Sequence, residues 1–125
     1  MASILLVDDD PQLLQALKLL LTSHGHRVTT AEDGVLAMTQ VYRAIPDLII
    51  LDLGLPGGNG IMVLQRVRLS RRTSAVPVLV LTGKAEAEAE ATARSAGATE
   101  FLRKPADPKE LLAAIDRLLG RQAAA

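Results

Sequence analysis

The chain has no cysteine, no tryptophan and only two aromatic residues, Tyr42 and Phe101. Without cysteine there is neither a disulfide scaffold nor a thiolate metal site. Two rings are too few for a base-stacking platform. Net charge is absent as well, because fourteen Lys and Arg balance fourteen Asp and Glu. The basic excess of a generic nucleic-acid binder is therefore missing. No apolar run approaches a membrane span, and Met1-Ala2-Ser3 leads straight into a strand-like run, so no signal peptide is expected. What is present is a 49% hydrophobic fraction, too high for disorder, in 125 residues that fit one domain. A cytoplasmic domain is the expectation, spanning 1–121, with 122–125 as a disordered tail or linker stub.

Short apolar runs alternate with helical periodicity along the chain. Ile4–Val7, Arg27–Thr30, Leu48–Leu51, Val78–Leu81 and Thr99–Arg103 read as strands. Helices are expected between them. Asp10-Pro11 is an N-cap followed by proline at the first helical position, with Leu13, Leu14, Leu17, Leu20 and Leu21 at helical spacing and Gly25 as the stop. Asp33 opens a second helix, with Ala37, Met38, Val41 and Ile45 on one face and Pro46 closing it. A third runs from about Asn59 to Ser70, with Ile61, Leu64 and Val67 inward. Residues 85–97 form a fourth, rich in Ala and Glu. Asp107 and Glu110 bracket a capping-box start for a fifth. Five strands alternating with five helices imply a three-layer, doubly wound (βα)5 α/β fold around a parallel sheet. The strands are continuously apolar, as when both sheet faces are covered.

The residue after each run carries the chemistry. Asp8-Asp9 follow the first run, Asp52 the third, Thr82 the fourth, and Lys104 the fifth. In a parallel sheet these carboxyl ends share one edge, where doubly wound folds place their ligand sites. Clustered carboxylates repel unless a cation intervenes, and oxygen ligands with water suit Mg²⁺. Lys104 adds a compact positive charge and Thr82 a hydroxyl donor. A nucleophile, a metal, a cation and a hydroxyl together suit phosphoryl transfer onto a carboxylate.

Val7-Asp8-Asp9-Asp10, Leu51-Asp52-Leu53-Gly54-Leu55-Pro56, Leu81-Thr82-Gly83 and Arg103-Lys104-Pro105 resemble, in order and spacing, the four signatures of bacterial response-regulator receiver domains. The resemblance covers essentially the whole chain. It implies a flavodoxin-like fold with strand order 2-1-3-4-5, and Asp52 as acceptor from a sensor histidine kinase or histidine phosphotransfer protein. It implies Mg²⁺ on Asp8, Asp9, Asp52 and the Gly54 carbonyl, phosphoryl contacts from Thr82 and Lys104, and a cis Lys104–Pro105 peptide. Thr82 and Phe101 fall at the switch positions, through which the face of the fourth helix, fifth strand and fifth helix would report the state. A phosphorylation-dependent homodimer is an assembly such a face allows. Direct binding to nucleic acid or membrane is not implied. Such a domain promotes its own phosphorylation and dephosphorylation without turning over a free substrate. Output partner and kinase are not named by the sequence.

This chain departs from the family pattern at several positions. Phe101 replaces the commoner Tyr, Ala106 stands where an aromatic often follows Lys-Pro, and Gly54 and Lys84 occupy the two positions that tune dephosphorylation. Two other functions fit part of the pattern. An aspartyl-phosphate phosphotransferase or phosphatase commonly has a second acid two residues past its nucleophile, where this chain has Gly54. A phosphorylation-independent binding module of the same fold would ignore a phosphodonor. Elsewhere the bland readings prevail. His24 and His26 read as a solvated loop, Arg66, Arg68, Arg71 and Arg72 as a solvated helix end, Gly57-Gly58-Asn59-Gly60 as a turn, and Tyr42 as core or half-buried packing. The fourth helix has high intrinsic propensity but no large apolar side chain, so weak docking is expected.

Overall fold

Continuous runs of β-branched and leucine side chains have nowhere to expose a face, so they pair in the interior. The computed structural model, which describes residues 2–56, 59–83 and 87–124, shows this outcome. The elements alternate as β1 (Ser3–Val7), α1 (Pro11–Ser23), β2 (Arg27–Ala31), α2 (Gly34–Arg43), β3 (Leu48–Leu51), α3 (Asn59–Leu69), β4 (Val78–Thr82), α4 (Ala87–Ala96), β5 (Glu100–Arg103) and α5 (Pro108–Ala124). All four strand pairings are parallel, in the order β2-β1-β3-β4-β5. The crossover direction reverses about β1, which opens a crevice at the carboxyl ends of β1 and β3.

Side chains alternate between two cores. Leu5, Val7, Ile49, Leu51, Val78 and Val80 meet Ala37, Met38 and Val41 of α2, Val63, Leu64 and Val67 of α3, and Ala93 of α4. Ile4, Leu6, Leu48, Ile50, Leu79 and Leu81 meet Leu14 and Leu21 of α1 and Leu111, Ala114, Ile115 and Leu118 of α5. Each fully buried Leu or Ile contributes about 1.5–3 kcal/mol. Among the described residues the buried side chains of α4 are Ala89 and Ala93, each of which contributes far less.

Helix starts follow the caps. The Asp10 carboxylate accepts from the Gln12 and Leu13 amides at 3.0 and 3.4 Å, Asp33 from Leu36 at 2.7 Å, and Asp107 from Lys109 at 2.9 Å. α1 ends at Ser23, and Gly25 turns the chain at φ +89°. That conformation is one in which a side chain would be strained.

Three expectations are corrected. α2 stops at Arg43, so Ile45 lies beyond the helix and is exposed instead of joining its inner face. Tyr42, on the outer side of α2, is 43% exposed. Arg68 is not part of a solvated helix end. Its Nε donates to the Gly97 carbonyl at 2.9 Å, Nη1 to the Val76 and Ser74 carbonyls at 2.5 and 3.2 Å, and Nη2 to Thr99 Oγ1 at 3.2 Å. Arg68 thus ties α3 to the entries of β4 and β5 and to the end of α4, at the sheet edge opposite the strand carboxyl ends.

Candidate functional site

The β1, β3, β4 and β5 runs deliver Asp8, Asp52, Thr82 and Lys104 to one edge. Asp8 leaves β1 with its amide bonded to the Ala31 carbonyl of β2, and Asp52 leaves β3 with its amide bonded to the Val7 carbonyl of β1. The two strands therefore hold these carboxylates through the sheet's own hydrogen bonds. Lys104 is held likewise, its amide bonded to the Thr82 carbonyl at 2.9 Å. The Lys104–Pro105 peptide is cis.

One carboxylate oxygen from each of Asp8, Asp9 and Asp52 lies within 4.8 Å of the other two. Asp8 and Asp52 are buried and Asp9 is exposed. Lys104 Nζ stands 2.5 Å from Asp8 Oδ2 and 3.5 Å from Asp52 Oδ2. The remaining oxygens take backbone donors: the Asp10 amide reaches Asp8 Oδ1 and the Gly54 amide reaches Asp52 Oδ1, each at 3.0 Å. Burial raises the Asp8 carboxyl above its usual value, and the Lys104 hydrogen bond draws it only partly back. Burial pushes the Lys104 ammonium down, but the hydrogen bond it donates to Asp8 and the charges of Asp52 and Asp8 more than offset it, so its pKa is raised. Three carboxylates against one ammonium leave two negative charges at a partly desolvated edge. An all-oxygen donor set with that imbalance fits a small divalent cation such as Mg²⁺. Among the described residues it is the one group of His, Asp and Glu close enough to hold a metal. His24 and His26 do not form such a group.

Glycines shape the rest of the edge. A Cβ at Gly54 would sit 3.4 Å from both Asp52 carboxylate oxygens, so any side chain there would lie against that carboxylate. A Cβ at Gly60 would meet the Leu53 Cα at 2.6 Å and the Asp52 carbonyl oxygen at 2.7 Å. The start of α3 is thereby pressed against the backbone that carries Asp52. Sequence reasoning assigned Gly60 only to a turn, and nothing in the run of three glycines singles it out. Lys84 and Gly57-Gly58 lie outside the described residues. Thr82 is fully buried beside the edge. Phe101 is half-buried against the α2–α3–α4 core, one strand across from Val80. Next to Lys104, a groove of about 420 Å³ runs between α1 and α5, lined by Leu13, Leu17, Pro105, Ala106 and Leu111 among others.

A doubly wound sheet with an acidic triad, a lysine and a threonine at its carboxyl edge is the arrangement of a signalling receiver domain. The chain belongs to the response regulator receiver domain family, whose model matches residues 4–116. It is 34% identical over 119 residues to Protein PilH of Pseudomonas aeruginosa, covering 95% of this chain and 98% of that one. It is 41% identical over 118 residues to the DNA-binding response regulator MtrA of Mycolicibacterium smegmatis, covering 94% of this chain and 50% of MtrA. The chain thus spans about half the length of MtrA and of several other curated relatives it matches. Among solved structures, a putative response regulator from Chloroflexus aurantiacus superposes with a TM-score of 0.90 at 35% identity, covering 95% of this chain and 98% of that one. The chemotaxis protein CheY4 of Vibrio cholerae superposes at 0.88 and 33% identity, covering 94% and 98%. Among the described residues no helix is long and apolar enough to cross a membrane.

Proposed function

We propose that this receiver domain accepts a phosphoryl group on Asp52 from a histidine kinase or a histidine phosphotransfer protein, and that the modification switches its α4–β5–α5 face. The observation that carries the reading is Lys104 poised between Asp8 and Asp52, 2.5 and 3.5 Å from their carboxylates, at an edge with excess negative charge. A carboxylate oxygen of Asp52 attacks the phosphorus of a phosphohistidine. The new P–O bond forms as the P–N bond breaks, and the imidazole nitrogen leaves with the bonding pair and takes up a proton. The strand hydrogen bonds and the Gly54 amide hold Asp52 in place for attack, so little orientation remains to be paid during the reaction. Lys104 balances charge developing on the transferred group, and Thr82 offers its hydroxyl to a phosphoryl oxygen. Asp8, Asp9, Asp52 and the Gly54 carbonyl would hold Mg²⁺, which when bound neutralises charge on the transferring phosphoryl group. The apolar groove beside Lys104 offers a donor protein a contact surface next to the acceptor.

The product brings nearly two negative charges to Thr82 and Lys104. Thr82 moves toward the phosphoryl group and Phe101 turns into the space it leaves, which repacks the α4–β5–α5 face. Gly54 and Lys84, at the tuning positions, set how long the phosphoryl group lasts. Incubation with Mg²⁺ and acetyl phosphate, read by intact mass, should give one phosphoryl adduct. Chelation of Mg²⁺ should abolish it, and Lys104→Met should slow it by about 10²-fold or more, as for loss of a charge-stabilising donor. An adduct indifferent to Mg²⁺ would contradict the reading.

A further inference from the structure

Phe101 lacks the hydroxyl by which a tyrosine could hold its ring through a hydrogen bond. Phe101 has only its faces and edge. The structure supplies a polar partner for one face: the Arg103 guanidinium carbon lies 5.9 Å from the Phe101 ring centroid. The contact follows from the strand. Residues two apart on β5 share a face, so Arg103 follows Phe101 on the side that packs toward the α2–α3–α4 core. Its register partner on β4 is Thr82, while that of Phe101 is Val80. The two proposed switch residues and Arg103 therefore sit together on one side of two paired strands.

We propose that Arg103 is a positioning residue for the switch, a latch that holds the Phe101 ring in its half-buried position through a cation–π contact and opposes its turn toward Thr82. The inference rests on the Thr82–Phe101 switch described above. Arg103 is exposed, and a cation–π contact at an exposed site is worth about a two- to fivefold bias in an equilibrium. Losing it should raise the population of the turned ring by that factor. Linkage then requires that affinity for a phosphoryl mimic rise by the same factor, since the mimic favours the turned state.

Phe101 is the chain's only phenylalanine, so 4-fluorophenylalanine labelling gives a single ¹⁹F resonance from the ring. The probe for the switched state is Mg²⁺ with beryllofluoride. In the unmodified chain that addition should move the resonance from a resting to a switched position. Without the mimic, Arg103→Gln should move it part of the way along the same line and bind beryllofluoride about two- to fivefold more tightly. Arg103→Lys, which keeps a cation, should restore most of the resting position. The latch is refuted if the parent chain responds to the mimic but Arg103→Gln leaves the affinity unchanged, or if Lys and Gln behave alike. If the parent binds beryllofluoride and its resonance does not move, the switch itself is refuted and the latch with it.

Discussion

Arg68 offers the sharpest test of how the scaffold is held. Its guanidinium donates to three main-chain carbonyls, of Ser74, Val76 and Gly97, and to the Thr99 hydroxyl, which also accepts from the Val78 amide at 3.0 Å. Burial lowers its pKa, but an arginine stays charged near neutrality. Hydrogen bonds to a charged group are worth about 1.5–3 kcal/mol each, and deleting one partner leaves the others unsatisfied. Four bonds made by one side chain do not add, and water can reach part of the site. We therefore expect Arg68→Ala to cost about 3 kcal/mol, the equivalent of one or two of these bonds. For a domain of this size that corresponds to roughly 10 °C in Tm. The assay is urea unfolding followed by circular dichroism, with the midpoint falling at unchanged slope. Arg68→Lys should recover only part of the loss, because one ammonium cannot fork to four acceptors spread over two connecting segments. Arg66→Ala, at an exposed position two residues earlier on the same helix, should stay within about 0.5 kcal/mol. A loss at Arg68 no larger than that at Arg66 would refute the account of this anchor.

Other outcomes follow from the site and its surroundings. Gly60→Ala forces a Cβ into the backbone of Asp52 and Leu53 and should cost about 1–3 kcal/mol. By displacing the acceptor it should also slow phosphorylation by acetyl phosphate by about tenfold or more, since an ångström of misplacement can cost 10²-fold. Asp8 has a raised pKa, chiefly through burial, so its contribution to stability is present below its ordinary value of 3.8 and is lost as pH rises through the raised value. Asp8→Asn should accordingly be more stable than the parent at pH 7 in chelator, measured by thermal melting, while binding Mg²⁺ more weakly. In α4, Ala89 and Ala93 provide the buried contacts among the residues described, whereas α1 buries Leu14 and Leu21. Amide hydrogen exchange should be faster in α4 than in α1, and slower exchange in α4 would overturn the weak-docking argument.

Features written in the local chain were legible in advance. The apolar runs became the buried strands, and Asp10, Asp33 and Asp107 cap helices because a carboxylate two or three residues before a free amide satisfies it wherever the helix packs. The acidic edge was legible for a related reason. Parallel strands must bring their carboxyl ends together, so Asp8, Asp52, Thr82 and Lys104 needed no distant information to be grouped. What escaped depends on reach across the fold. Arg68 is the same residue type as its neighbours Arg66, Arg71 and Arg72. Only its phase, four residues after the buried Leu64 and one after the buried Val67, hinted at an inward course, and its acceptors lie on segments that tertiary packing alone brings near. Ile45 fitted the apolar phase of α2, but the helix ends two residues earlier, with Ala44 in extended conformation. Tyr42, expected as core or half-buried packing, is 43% exposed because its place on α2 faces outward. Gly60 is set apart from its neighbouring glycines by a backbone contact, which leaves no mark on composition.

The claim that Asp52 becomes phosphorylated is tested most directly by trapping the acyl phosphate. After incubation with Mg²⁺ and acetyl phosphate, borohydride reduction should convert the phosphorylated aspartyl side chain to the alcohol, leaving homoserine in its place. Peptide mass mapping should find homoserine at position 52 alone, and none in a sample treated with chelator. Homoserine at Asp8 or Asp9, or an unreduced Asp52 in protein that carries the phosphoryl adduct, would contradict the account.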